Sequence, residues 1–588
     1  MKKTGAQIIV KLLELEGIRV VSGIPGGSIL PLYDELCKSK IRHILVRQEQ
    51  AAGFIAQGMA RTTGKPAVCM ATSGPGAMNL LTAIADARSD SIPIVAITGQ
   101  VNMSLIGTDA FQEADTFGLS FPIAKHSMAV KTPLELLRAI PAAFKIANNG
   151  RKGPVLVDVP RDVQLAEAEF ENWPVIEDDP AESQNVRFIT PPQKIDALAE
   201  EACDLFVKAR RPVLYLGGGC NSPSGAQSVA DFLSLYRLPI VSSLMGIGCV
   251  ANDHKDYAGM VGMHGFYAAN KAMYESDLVF AAGARFDDRA TGISEQFCPD
   301  AKIIHIDIDA AEINKILSAD ISFVSTCQTV VPKITARLKE KLAAQGNENA
   351  QSARNEWADK IASLAKETFS FQCGSPLTQG KSSSGKKLAN PRLFIADIPP
   401  LAAEAGVKED DIIVTTDVGQ HQMWVAQYYP VKKPRTLLTS GSLGTMGFGL
   451  PAAIGAAIEN PEKRIVCFSG DGSIMMNIQE LITLAENNLA VTIIVLENGT
   501  LGMVYQQQKY LFNKTYSASR FDSKPDFVKI AQGFGVEATD ADTDENWYKK
   551  AFDPNRSKKP FLVRVSVDPE EDVLPFVPGG KINIDAIR

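Results

Sequence analysis

The 588-residue chain has no C-x-x-C pair among its nine cysteines and no cluster among its six histidines, His43, His126, His254, His264, His305 and His421. That leaves no zinc box and no disulfide framework, and it suggests reduced thiols. A G-x-G-x-x-G dinucleotide fingerprint is missing from the middle of the chain. No uninterrupted apolar run is long enough to span a bilayer. Positive charge is not in excess either: 60 Lys and Arg against 67 Asp and Glu give a net charge of −7, which is no footprint for nucleic acid. Residues 1–17 imitate a secretory signal, with two lysines ahead of Ile8, Ile9, Val10, Leu12, Leu13 and Leu15. Lys11, Glu14 and Glu16 interrupt that run and no cleavage site follows, so it reads as an amphipathic helix ended by Gly17. These absences lead us to expect a cytoplasmic protein that binds neither nucleic acid nor membrane.

What is present is a globular composition, 45% apolar and 22% charged, on a chain too long for one core. Strand, glycine turn and helix recur along it, which predicts an α/β fold of three doubly wound parallel-sheet domains. The domains are expected at 1–175, 190–345 and 388–570. An acidic, proline-containing connection over 177–192 and a Gly/Ser-rich linker over 372–387 separate them.

One stretch carries the strongest chemical signal. Ile465-Val466-Cys467-Phe468 reads as a strand ending in Ser469-Gly470-Asp471-Gly472. A helix is expected over 475–486, with Ile478, Leu481, Ile482 and Leu484 inward, and a second strand over 491–496 closes on Glu497-Asn498-Gly499-Thr500. Two parallel strands joined by a helix bring Asp471 and Asn498 to one carboxyl edge. With the backbone carbonyl of Thr500, their oxygens suit Mg²⁺, a hard cation that takes octahedral oxygen ligands, some of them phosphate. Gly470 and Gly472 let the backbone approach a diphosphate, and a helix N-terminus directs its dipole there. Read alone, the same residues also make two ordinary tight turns.

Other candidates are weaker taken singly. Gly26 and Gly27 lie in a loop after the first strand, where close approach to a ligand is possible. Glu49 stands at a strand-to-helix corner among Ala, Gly and Phe: it is either a solvated glutamate favoured by the helix dipole or a partly desolvated acid suited to hydrogen-bond a heterocycle. Phe111 and Gln112 occupy a loop, where packing and solvation explain them equally well. In the middle third, strands enter Gly217-Gly218-Gly219, then Gly283-Ala284-Arg285-Phe286-Asp287-Asp288-Arg289, and a third ends at Asp307 and Asp309. A glycine turn followed at a distance by a strand-terminal acid suits a ribose and diphosphate, and also suits a plain structural domain. Gly441, Gly444, Gly447 and Gly449, set among Leu443, Met446 and Phe448, are too many glycines for a core helix.

Asp471 and Asn498 together resemble the thiamine diphosphate (ThDP) motif, although that motif usually shows two Asn where this chain has Glu497-Asn498. The run from Thr72-Ser73-Gly74-Pro75-Gly76-Ala77 to Asn79, then Asp90-Ser91-Ile92-Pro93 and Phe111-Gln112-Glu113, resembles the acetohydroxyacid (acetolactate) synthase family. The resemblance extends over most of the chain. It implies a biosynthetic catalytic subunit that decarboxylates pyruvate on ThDP and joins the two-carbon unit to a second pyruvate or to 2-ketobutyrate. The products would be 2-acetolactate or 2-aceto-2-hydroxybutyrate, for valine, leucine and isoleucine synthesis.

Site residues follow from the same resemblance. Glu49 would activate a ThDP whose diphosphate is held by a partner chain, implying a homodimer or tetramer, with a small regulatory subunit as a further partner. Phe111, Gln112, Arg161, Met263, Arg289 and Gln507 would line the reaction site. ThDP would lie against Gly26, Gly27, Glu49, Gly76, Asn79, Val418, Gln420, His421, Gly444, Met446, Gly470, Gly472 and Ser473, with Met446 as the wedge between its rings. Mg²⁺ would be held by Asp471, Asn498 and Thr500. FAD, in a structural role, would lie against Arg151, Gly217, Gly218, Gly219, Gly262, Met263, His264, Gly265, Gly283, Arg285, Asp287, Arg289 and Asp307. The domains accordingly become ThDP pyrimidine-binding, FAD-binding and ThDP diphosphate-binding. Departures are Glu497, Lys152 where Pro is usual, Arg161 where Lys is usual, and Gln507 where many members carry Trp. A catabolic acetolactate synthase, or another ThDP-dependent 2-ketoacid decarboxylase or carboligase, is the alternative; catabolic members usually lack the run from Arg285 to Arg289.

Overall fold

The first turn of the chain shows how local sequence becomes structure. Thr4 accepts from the Gln7 amide while the Gln7 side chain accepts from Thr4 N, a reciprocal cap that starts helix Gly5–Leu15. Its Ile8, Ile9, Leu12 and Leu13 are fully buried, and Gly17 ends the segment in the left-handed region. The amphipathic helix expected there is thus a core element of the first domain.

The computed structural model describes residues 1–176, 189–345, 348–374, 388–556 and 559–588. It contains three six-stranded parallel sheets and a two-stranded antiparallel pair, Lys2–Thr4 with Glu167–Glu169. With strands numbered by chain order within each sheet, the first sheet (Val20–Gly23 to Val155–Pro160) runs 2-1-3-4-6-5. The last (Ile412–Thr416 to Phe561–Ser566) has the same order. The middle sheet (Pro212–Leu216 to Ile321–Val324) runs 3-2-1-4-5-6, the arrangement typical of dinucleotide-binding folds. Helices cover both faces of each sheet, so the strands are near-continuous apolar runs such as Ile94–Gln100 and Val491–Glu497, buried throughout.

The first and last sheets share one hydrophobic core, which includes Ile55, Met59, Leu80, Leu450, Ile454 and Ile465. Its centre is the crossing of helices Glu49–Thr63 and Gly449–Glu459. They touch backbone to backbone: a Cβ on Gly58 would lie 2.2 Å from the Ala452 carbonyl, and one on Gly455 would lie 2.1 Å from that of Ile55. The middle sheet has its own core, including Phe206, Phe232, Tyr236 and Phe280. Helix Glu348–Gly374 covers its other face through Trp357 and Ile361, with the Trp357 indole donating to the Pro212 carbonyl at 3.1 Å.

Two local expectations change. The helix expected over 475–486 is two pieces, Asp471–Ile474 and Glu480–Asn487. Between them Met475 and Met476 project outward, and the Asn477 side chain donates to the Gly447 carbonyl at 2.8 Å, which turns the chain out of helix. In the linker expected over 372–387, residues 372–374 end helix Glu348–Gly374, and 375–387 lie outside the described residues. Residues 177–188 of the first connection also lie outside them, and Pro192 opens helix Pro192–Lys208. Among the described residues no helix is long and apolar enough to cross a membrane, and the eight described cysteines are free thiols.

Candidate active site

Parallel strands end on a common edge, and the crevice forms where the strand order reverses. In the first sheet that point lies between Val20–Gly23 and Ala67–Ala71. The loops that follow are in close contact: a Cβ on Gly26 would lie 2.6 Å from Thr72 Cβ, and one on Gly76 would lie 2.8 Å from Thr72 Cγ2 and 3.2 Å from Glu49 Oε1. Gly27 has open space around it. Glu49 is the first residue of its helix, only 9% exposed, and accepts from Asn79 Nδ2 at 2.9 Å. The solvated reading of Glu49 is therefore replaced by a buried one. The Thr72 hydroxyl beside it is buried without a partner.

Phe111 and Gln112 stand on the same edge, in the loop after strand Ile94–Gln100. Phe111 is 87% exposed, an unusual cost for an aromatic ring, and Gln112 has a left-handed φ of 57° with its backbone packed against Gly74. Arg161, exposed, opens the helix after strand Val155–Pro160. The loop is anchored from below by Asp158, a buried strand residue with no place among the predicted site residues. Asp158 accepts from the Thr98 hydroxyl at 2.6 Å and from Gln100 Nε2 at 3.0 Å, and Gln100 Nε2 also donates to the Ala114 carbonyl at 2.8 Å.

Burial pushes the Asp158 carboxyl up to about 7. A carboxyl whose folded pKa is raised contributes stability that is full below the unfolded value, near 4, and is lost as pH rises through about 7. Asp158→Asn keeps an acceptor for Gln100 and has no charge to bury. We expect wild type to lose about 1–2 kcal/mol more stability than the variant between pH 5.5 and pH 8.5. Thermal midpoints of both proteins at the two pH values check this.

The last sheet repeats the crevice between Ile412–Thr416 and Arg464–Gly470. A Cβ on Gly470 would lie 2.9 Å from His421 Nδ1, so only glycine fits there. His421 is buried, which pushes its imidazole down to about 3 and keeps it neutral, and its Nε2 has no partner. Asp471 Oδ2 accepts from Gly499 N at 2.6 Å and Oδ1 from Gly472 N at 2.9 Å, so each oxygen keeps a lone pair. Burial, then the charge of Glu497, raises its pKa to about 6. Asn498 Oδ1 accepts from the Thr500 amide at 3.0 Å and hydroxyl at 2.9 Å; rotation of that hydroxyl frees one acceptor site. Glu497 is itself neutralised by Arg564, which also pairs with Asp542 at 2.6 Å. Among the described residues no three His, Cys, Asp or Glu side chains converge on a point, so any metal here is held by one carboxylate, an amide and backbone or ligand oxygens.

Around this turn, Ser473 Oγ accepts from Gly470 N at 3.2 Å. Gln420 is committed internally: it accepts from Asn498 Nδ2 at 3.1 Å and donates to Gln506 Oε1 and the Glu571 carbonyl. The loop of Gly444 and Met446 faces the crevice, with Gly444 at φ 68° near Val418 and Met446 half-buried. Gln507 is exposed on helix Gly502–Leu511.

In the middle sheet the order reverses between Pro212–Leu216 and Leu278–Ala282. A Cβ on Gly217 would lie 2.0 Å from the Gly283 carbonyl, and one on Gly219 would lie 2.8 Å from Gly283 Cα. These glycines let two loops pack on each other, while Gly218 has only Met245 nearby, at 3.3 Å. Gly262 lies under the Arg289 carbonyl and Gly265 against that of Met260. Met263 and Arg289 are together, with Met263 N donating to the Arg289 carbonyl at 2.9 Å and Arg289 Nη1 3.6 Å from Met263 Sδ. His264 stacks on Phe576, and Asp287 caps the short helix Asp288–Thr291. Asp307, at the end of its strand, accepts from Asp309 N at 2.8 Å. Arg151 reaches over from the first domain to Asp309 and Glu312, at 3.1 Å and 2.8 Å, and Arg285 donates to the Ser89 carbonyl and to Ser442 Oγ.

Matches to known families agree with this geometry. The central and two ThDP-binding domains of thiamine pyrophosphate enzymes match residues 199–334, 3–119 and 417–565. The chain is 47% identical to the acetolactate synthase isozyme 1 large subunit of Escherichia coli, across 99% of this chain and 97% of that protein. The chain belongs to the acetolactate synthase family. It is also 42% identical to the isozyme 2 large subunit of Escherichia coli (99% of each chain) and 41% identical to the acetolactate synthase large subunit of Corynebacterium glutamicum (99% and 90%). As an acetolactate synthase it is a ThDP-dependent enzyme. A buried, partnerless imidazole nitrogen and hydroxyl, flanked by close-packed glycines, are the polar contacts such a cofactor would complete.

Four groups that hold this candidate site together were not among the predicted site residues. Asp417, fully buried, accepts from Val418 N at 2.9 Å and Gly447 N at 2.8 Å, tying the strand end to the Met446 loop. Arg61, Asp86 and Asp90 form a buried ion cluster beneath that loop. The signal for them was faint: for Arg61 and Asp86 a charge inside an otherwise small, apolar helix face, and for Asp90 and Asp417 an acid just past the end of a helix or a strand.

Proposed function

We propose that the chain is the catalytic subunit of a biosynthetic acetohydroxyacid synthase that uses ThDP, Mg²⁺ and FAD. Pyruvate would lose CO₂, and its two-carbon unit would pass to a second pyruvate or to 2-ketobutyrate, at the start of valine, leucine and isoleucine synthesis. The observation that carries the flavin part is the middle sheet: a 3-2-1-4-5-6 order with Gly217 and Gly283 at its switch point. Arg88, Arg151 and Arg285 gather beside it, near enough that the latter two depress the pKa of Arg88 after burial has done so. Such a cationic junction suits a diphosphate. Gly262, Met263, His264, Gly265, Asp287, Arg289 and Asp307 would complete that cleft.

ThDP, when bound, supplies the carbanion chemistry. Asp471, Asn498 and the Thr500 carbonyl would hold Mg²⁺ and through it the diphosphate, with His421 Nε2, Gly470, Gly472 and Ser473 beside the phosphates. Glu49 would hold a proton at the pyrimidine ring nitrogen, its carboxyl fixed by Asn79, with Gly26, Gly27 and Gly76 giving room for the ring. Met446, with Val418 and Gly444, would pack against the two rings of the cofactor. Phe111 and Gln112 would cover the reacting carbons and exclude water, and Arg161 and Arg289 would receive 2-ketoacid carboxylates.

Exposed Phe111, Met78, Met475 and Met476, all near the cofactor crevices, support burial against a second copy of the chain, as a homodimer or a pair of dimers. A small regulatory subunit, in keeping with the large-subunit names of the relatives, would join the catalytic chains in the cytoplasm.

The test is product formation from pyruvate with FAD and ThDP each omitted. Acetolactate only when both are present supports the proposal, activity indifferent to FAD favours a catabolic enzyme, and acetaldehyde would indicate a decarboxylase. Gln507 leaves the acceptor pocket without an indole wall, so pyruvate and 2-ketobutyrate at equal concentration should give comparable yields. Gln507→Trp is expected to shift the product ratio toward 2-aceto-2-hydroxybutyrate by about 10-fold or more, the scale of one added apolar contact. Chromatography of the two products measures it.

A further inference from the structure

Helix Glu49–Thr63 lacks a cap of its own. Its N-cap residue, Gln48, makes no side-chain capping bond, and an uncapped buried N-terminus leaves amides without acceptors. The two residues that lead into the helix are held instead from the last domain. Glu480, with no exposed surface, opens helix Glu480–Asn487 and receives the Arg47 amide at 2.8 Å through Oε1, while the Gln48 amide also points at its carboxylate. Glu480 Oε2 is fixed by the Thr483 hydroxyl at 2.6 Å. The same helix is fastened to the adjoining strand by Arg47 to Glu486, at 2.5 Å, and Arg42 to Asn487, at 2.6 Å. A carboxylate more than 400 positions away in sequence thus holds the two residues immediately before Glu49.

We propose that Glu480 is a positioning residue for Glu49: it holds the Arg47 and Gln48 amides, the turn into the helix, across the domain boundary and sets where the Glu49 carboxyl stands. The inference rests on the reading of Glu49 as the ThDP activator. Glu49 has one side-chain anchor, Asn79, so its reach is fixed largely by the backbone that carries it. An ångström of drift there is enough to cost a large rate factor. Glu480 also lies on the segment that begins at the Asp471 turn, so one stretch of chain would serve both the metal turn and the acid.

The experiment compares Glu480→Ala, Glu480→Gln and Glu49→Gln in the full-length enzyme. In the cofactor-free protein, hydrogen exchange of the Arg47 and Gln48 amides should speed at least about 10-fold in Glu480→Ala and less in Glu480→Gln, which keeps one carbonyl acceptor. With ThDP and Mg²⁺ bound, the exchange of the thiazolium C2 proton with solvent, followed by NMR, should slow about 10- to 100-fold in Glu480→Ala. kcat should fall in step while KM for pyruvate stays within about 2-fold. Glu480→Gln should recover part of both losses. Unchanged C2 exchange and kcat in Glu480→Ala, or in Glu480→Gln should the alanine variant not fold, would make the contact merely structural and overturn the proposal. Unchanged amide exchange would overturn its geometry. If Glu49→Gln itself leaves C2 exchange unaltered, it is the activator reading that fails, a result distinct from either.

Discussion

Replacing Glu49 with Gln is expected to lower kcat for acetolactate formation by about 10²- to 10⁴-fold, the range for removal of a positioned acid or base. Gln retains an oxygen for Asn79 Nδ2, the shape of the side chain and its burial, so the helix and the fold should be unaffected. What it loses is the ability to share a proton with a ring nitrogen. The loss should therefore appear in kcat with KM for pyruvate nearly constant, and the unfolding midpoint should match wild type within about a degree, as expected for an isosteric change. Steady-state kinetics at saturating ThDP and a thermal scan decide it. A variant with near wild-type kcat would remove Glu49 from the chemistry.

The second large effect is on stability. Arg61 is buried, with Nη2 2.8 Å from Asp90 Oδ2 and 3.6 Å from Asp86 Oδ1, and its guanidinium lies over the Phe448 ring at 5.0 Å. Asp90 accepts from the Gly441 and Ser442 amides, each at 2.9 Å. Asp86 accepts from the Ser440 hydroxyl and, at 2.7 Å, from that of Thr445. Burial, then the charge of Asp90, pushes the pKa of Asp86 up, and Arg61 opposes this. Arg61→Ala would leave two buried carboxylates without their counter-ion, a loss of about 3–5 kcal/mol. We expect a thermal midpoint lower by roughly 5 °C. The same change should weaken ThDP binding, because the loop those carboxylates hold carries Gly444 and Met446. Calorimetry and a ThDP titration measure the two effects. Arg61→Lys should recover some stability, since it restores charge but not the planar guanidinium that lies over Phe448.

Glu49, Arg61 and Glu480 differ in how far the sequence revealed them. Glu49 is visible because it follows a strand and opens a helix of small residues, a local pattern. Arg61 lies on that same helix, and nothing nearby announces a partner, because Asp86, Asp90 and Ser440 come from other elements. Glu480 sits in a stretch expected to be one continuous helix; the break between Ile474 and Glu480 that frees it to face Arg47 depends on Asn477 bonding to Gly447, a contact 30 positions apart.

By itself the sequence determined the class of fold and which turns are candidates for the chemistry. Runs such as Ile465-Val466-Cys467-Phe468 followed by Gly-Asp-Gly are local, and local preference suffices to make a strand end in a glycine turn. Only the tertiary structure decided which turns face one another. Strand order puts Gly26 against Thr72, Gly470 against His421 and Gly217 against Gly283, and it sets the middle sheet apart from its two neighbours. It also decided that Gln420, a candidate ligand in sequence, is occupied with Asn498, Gln506 and Glu571. The reason is that pairing across a parallel sheet joins segments tens of residues apart, and buried polar groups take whichever partner that pairing brings within hydrogen-bond reach.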